Sequence, residues 1–160
     1  MLNLRRLLIV LGIAAAFAWA LPAPVMAAGG DSSPPAAAAD PDFTAGRSAI
    51  DKKDWPAAAA LFTKVLAKNE SNADAHNWLG YARRNMGDLP AALKSYTRAL
   101  DIDPRHRGAH EYVGETYLLM GDLAKAEQHL ARLNSICWFG CEEFNDLKAK
   151  IAEFKAKKTS

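Results

Sequence analysis

His76-Asn77-Trp78-Leu79-Gly80-Tyr81, with Met86-Gly87-Asp88-Leu89 a few residues beyond it, returns 34 residues later as His110-Glu111-Tyr112-Val113-Gly114-Glu115 and Met120-Gly121-Asp122-Leu123. Outward from this pair, three blocks align without a gap: Ala39 to Asn72, Ala73 to His106 and Arg107 to Gly140. Gly46, Gly80 and Gly114 share one slot, and Ala58, Ala92 and Ala126 another. Phe62, Tyr96 and Leu130 share a third, and Val65, Ala99 and Leu133 a fourth. Lys53-Asp54, Gly87-Asp88 and Gly121-Asp122 fall together as a turn. A fixed period of this length marks an architecture of stacked helical hairpins.

Each slot has a mechanical reason. Glycine inside a helix costs about 0.8–1 kcal/mol against alanine, so three in register imply close approach of a neighbouring helix. The alanine slot does the same on the second helix, and Phe62, Tyr96 and Leu130 supply bulk between successive pairs. Gly87 and Gly121 suit the left-handed residue that ends a helix, and Asp88 and Asp122 cap the next one. Pro104 closes the second block, where a helix cannot continue. The pattern predicts helices over 41–53, 55–69, 73–86, 89–101, 107–120 and 123–136. A seventh, over 142–157, carries Phe144, Leu147, Ile151 and Phe154 on one face and Lys148, Lys150, Glu153 and Lys157 on the other. Such a helix suits the exposed apolar end of a solenoid.

These residues make the chain resemble a tetratricopeptide repeat protein over about 100 residues, with the second block the best match. It departs from the family's pattern at His76 and His110, where a large aromatic is usual, and at Arg83, where tyrosine is usual. No proline closes the first block. The resemblance implies an all-α fold, a short right-handed solenoid of three helical hairpins plus a C-terminal capping helix. It also implies that the first helix of each pair lines a concave, partner-binding face. Carried over slot by slot, that face holds Phe43, Arg47 and Ile50, then Asn77, Trp78, Tyr81, Arg84 and Asn85, then Glu111, Tyr112, Glu115, Leu118 and Leu119. Aromatic rings mixed with arginine and amides suit a peptide-binding surface. Trp78 and Tyr112 are also open to the simpler reading of packing between helices. One branch of the family grips a C-terminal carboxylate with lysines and asparagines; here the matching slots hold Phe43, Asn77 and Glu111, so no such clamp is expected.

Cys137-Trp138-Phe139-Gly140-Cys141 is the one segment the repeat leaves unexplained. Cysteines four apart can meet the ~6 Å Cα spacing of a disulfide, and Gly140 lets the chain bend. The structural reading is a staple where the last repeat meets the cap, with Trp138 and Phe139 packed beneath it and a contribution of about 2 kcal/mol. The alternative is a thiol-redox or Cu(I)-handling pair. No histidine or methionine is adjacent, and Glu142 and Glu143 would not lower a thiol pKa. His106 and His110 are spaced for a helical zinc pair, yet no third ligand is evident, and His76 shares the slot of His110, which favours packing. No metal or cofactor is expected.

The first 27 residues have the layout of a cleavable secretory leader: Arg5 and Arg6, the apolar run Leu7 to Leu21, then Val25-Met26-Ala27 before the cut. The run is about 15 residues, short of a membrane span; an uncleaved inner-membrane anchor facing the periplasm is the alternative. Residues 28–40, rich in Ala, Gly, Ser and Pro, read as a disordered linker, leaving 41–157 as the repeat domain. The whole chain carries +2, and Arg5 and Arg6 account for it, so the processed chain is neutral. Nothing in that balance attracts nucleic acid or an anionic bilayer. No phosphate loop, nucleophile elbow or paired carboxylate points to catalysis. The expectation is a non-enzymatic adaptor of the bacterial envelope, periplasmic, monomeric or self-associating through its open ends, binding a protein or peptide partner.

Overall fold

The computed structural model describes residues 40–158. The expected leader, and the expected linker up to residue 39, lie outside them. Seven helices follow in order: α1 (Pro41–Asp51), α2 (Trp55–Lys68), α3 (Ala73–Asn85), α4 (Leu89–Ile102), α5 (Arg107–Leu119), α6 (Leu123–Ile136) and α7 (Glu142–Lys158). Their ends fall within two residues of the spans expected from the 34-residue pattern. No helix among the described residues is long and apolar enough to cross a membrane.

Helix starts are fixed by side chains that accept an orphan backbone N–H. Asp54, Asn72, Asp88, His106 and Asp122 each accept from the residue three positions on, at 3.0 to 3.2 Å. Asp40, placed by sequence at the end of the linker, caps α1 by accepting from Asp42 at 2.7 Å, and Lys68 reaches it at 3.2 Å. Helix ends use the left-handed turn at Gly87 and Gly121, with φ of 85° and 80°. The same slot in the first hairpin holds Lys53 at φ 58°.

The glycine slot does what its repetition implies, with one change of partner. A Cβ on Gly46 would stand 2.9 Å from the Phe62 ring, and one on Gly80 would stand 2.5 Å from the Tyr96 ring. The bulky slot of the second helix therefore fills the notch within its own hairpin rather than the gap between successive pairs. At Gly114 the filler is Leu147 of α7, not Leu130, which stays half-buried. The core runs along the stack in three clusters, centred on Phe62 and Leu79, on Tyr96 and Val113, and on Leu133 and Leu147. Ala58, Ala92 and Ala126 are fully buried, as close helix approach demands. This is an all-α solenoid of helical hairpins, and α7 closes its end.

Candidate functional site

The first helices of successive hairpins, α1, α3 and α5, carry side chains that join into one continuous strip. The Arg47 guanidinium of α1 lies 3.5 Å above the Trp78 ring of α3. Trp78 meets Tyr81 edge-on at 5.7 Å between ring centres, and Tyr81 meets Tyr112 of α5 at 4.9 Å. Arg84 then lies about 5 Å from both tyrosine rings and forms an ion pair with Glu115. Cation over ring, ring against ring, each contact is worth about 0.5–1.5 kcal/mol and freezes few rotors. The strip is therefore ordered without a ligand. Trp78, Tyr81 and Tyr112 remain half-buried, so their outer faces are available. The rings therefore bridge helices and still line the surface.

Burial opposes the Arg84 charge, but Tyr96 and Glu115 outweigh it and hold the guanidinium above its usual pKa. Burial pushes the Tyr96 and Tyr112 phenols up, so both stay neutral.

Two clefts flank the strip. One, of about 380 Å³, lies between Arg84, Glu115, Leu118, Leu119 and Phe154. Asn85 stands at its edge, exposed, and donates to the Tyr81 carbonyl at 2.9 Å. The other, of about 350 Å³, is lined by Asp74, Asn77, Trp78, Glu111 and Tyr112 together with the first turns of α7. Asn77 and Glu111 are buried there. Phe43 stands apart: it meets Phe62 edge-on at 5.5 Å and belongs to the core of the first hairpin, as does buried Ile50.

The contribution of α7 to both clefts escaped the sequence reading. The register had the signal, because continuing the 34-residue spacing past Gly140 puts Leu147 under Leu79 and Val113, and Asp146 under Trp78 and Tyr112. The cap thus stands where a fourth hairpin would begin.

Cys137 and Cys141 form the expected disulfide, with Cα atoms 5.7 Å apart. The aromatic pair inside the loop does not pack beneath it. Trp138 and Phe139 are 86% and 101% exposed, since the short ring closed by the disulfide turns its middle outward. The histidines are all engaged. His106 caps α5 through Nδ1 and bonds Asp74 through Nε2 at 3.1 Å. His76 bonds the Glu70 carbonyl at 2.9 Å. His110 donates from Nε2 to the Pro104 carbonyl, which leaves its Nδ1 to accept from His129 at 3.0 Å. No group of three His, Cys, Asp or Glu among the described residues is arranged to hold a metal ion.

Profiles of the tetratricopeptide repeat match residues 43–84 and 73–106. Residues 43–106 are thus recognised as tetratricopeptide repeats. The third hairpin and α7 lie beyond the matched span. By sequence, no curated protein matches the chain. Among solved structures, the type III secretion translocator chaperone SycD of Yersinia enterocolitica superposes with a TM-score of 0.66 at 19% identity, over 74% of this chain and 84% of SycD. SycD in complex with a peptide of the translocator YopD gives 0.64 at 20% identity, over 73% and 92%. A tetratricopeptide domain of yeast Sti1, solved in a pHsp70 complex, gives 0.64 at 18% identity, over 70% and 94%. At these identities the likeness is one of fold.

Proposed function

We propose that the chain is a non-enzymatic adaptor that holds a peptide segment of another protein on the face formed by α1, α3 and α5. The observation that carries this is the strip Arg47–Trp78–Tyr81–Tyr112–Arg84, ordered in advance and open on one side between two clefts. A surface already rigid loses little side-chain entropy on capture, and aromatic and arginine anchors are what binding hot spots use. The structures it resembles include SycD solved with a peptide of the translocator YopD and the first tetratricopeptide domain of Spaghetti (RPAP3) bound to an HSP90 peptide, which supports the same use of the fold here.

The test is capture from an envelope extract, compared between the natural chain and a Trp78/Arg84/Tyr112 triple alanine variant of equal helicity. A photocrosslinker at Asn85, on the cleft edge, traps the partner, whereas one at Thr63, exposed on α2, does not. Equal capture by the triple variant sinks this face as the site.

The setting we infer is the periplasm, reached through a leader cut after Ala27. Arg5-Arg6 with its apolar run supports it, and so does the Cys137–Cys141 disulfide, which persists in an oxidising compartment. Mass spectrometry of the exported chain should give a species beginning at Ala28; an intact Met1 form would return the inner-membrane anchor.

A further inference from the structure

We propose that the cleft between α3, α5 and the start of α7 receives the side-chain cation of a lysine or arginine from the bound segment. The inference rests on the adaptor reading and names what that partner must carry. Five carboxylates line the cleft: Asp74 from α3, Glu111 from α5, and Glu142, Glu143 and Asp146 from α7. Two are answered from within the chain. Asp74 bonds His106 at 3.1 Å, and Glu143 faces Arg107 at 3.6 Å. Glu111, Glu142 and Asp146 have no ion pair among the described residues.

The second observation is an acceptor without a donor. Asn77 is only 2% exposed, lines the same cleft, and its Oδ1 is buried with no hydrogen-bond partner. Buried polar atoms left unpaired are uncommon and call for an explanation. A protonated amine or guanidinium supplies the missing donor and the missing charge together, whereas a carboxylate tail meets acceptors and negative charge on every side. Trp78 and Tyr112 form the apolar wall, which suits the methylene stem of a long basic side chain. The carboxylates are not grouped as a metal would need, so the cation is an organic one.

Proton linkage gives the occupant a signature. Burial, then Glu115 on its own helix and Asp146 and Glu143 on α7, push the Glu111 carboxyl up to about 8, while Arg84 on α3 acts the other way. Near neutral pH, a cation entering beside Glu111 ionises it and releases a proton.

The probe is Nα-acetyl-lysine methylamide, titrated at pH 7 into the isotope-labelled chain and followed at the Asn77 side-chain amide by NMR. Nα-acetyl-norleucine methylamide and calcium chloride serve as controls. The result expected is a saturable shift with lysine alone, accompanied by proton release. The affinity should fall about tenfold in Glu111→Gln and in Asp146→Asn, as loss of a charge-assisted contact requires. Asp146 is exposed on α7, so the second variant keeps the test sound if the first disturbs the core. Equal shifts with norleucine, no shift with lysine, or a calcium shift that displaces lysine would each overturn the proposal. A failed lysine titration beside intact, Trp78-dependent partner capture removes only the cation pocket. A successful titration beside capture indifferent to the triple variant removes the adaptor face instead.

Discussion

At the residue scale, the repeat exposes its own irregularities. Lys53 takes the left-handed conformation that Gly87 and Gly121 take without penalty. That conformation costs an ordinary L-residue about 1–2 kcal/mol, partly offset because glycine enlarges the unfolded ensemble. Lys53→Gly should therefore stabilise the chain by about 0.5–1 kcal/mol, read as a higher urea midpoint at unchanged slope. Two buried titrating groups pull stability in opposite directions with pH. Glu111 rises from 4.5 to about 8, so the folded chain holds the extra proton and stability falls as pH climbs through that window. Glu111→Gln should be the more stable form at pH 9, by on the order of 2 kcal/mol, in thermal melts. His129 falls from 6.5 to about 4, through burial and then the neighbouring His110 and Arg132. Its contribution is complete above pH 6.5 and disappears as pH drops toward 4, because burial disfavours the charged ring and His110 and Arg132 add to that. His129→Gln should flatten the acid limb of the stability curve between pH 6.5 and 4, measured by denaturant midpoints.

At the scale of the element, repetition decided what could be read from sequence. The glycine, alanine and turn slots each occur up to three times, so packing requirements too weak to see once become visible in register. His106 as a cap went unread, although it shares the slot of Asn72, which caps α3. Features that occur once were not legible. Nothing in the order of residues 137–141 says that Trp138 and Phe139 point outward, because a ring closed over five residues has no periodicity to consult. The acidic cleft was hidden for a different reason: Glu111 was visible, but Glu142, Glu143 and Asp146 reach it only because α7 docks in the place that the first helix of a further hairpin would take. That docking hinges on Leu147, fully buried in the notch above Gly114. Leu147→Ala should cost about 3 kcal/mol and loosen α7 ahead of the repeats, seen as faster amide exchange over 142–158 than over 55–102.

At the scale of the molecule, the stack behaves as a sum of neighbours. Its three apolar clusters follow one another along the chain, so each hairpin is supported by the next, and α7 covers the final one. The strip of aromatic rings and arginines crosses the first two of these junctions, which ties the order of the surface to the integrity of the stack.

The covalent ring at the last junction has a practical corollary for anyone handling the protein. Chymotrypsin, which cuts after large aromatics, should find Trp138 and Phe139 before any ring in the repeats, as both project into solvent. Either scission falls between the two sulfurs, so the halves stay tethered. On a denaturing gel the digest should migrate as one band until thiol is added, and only then part into a large fragment and the short C-terminal helix.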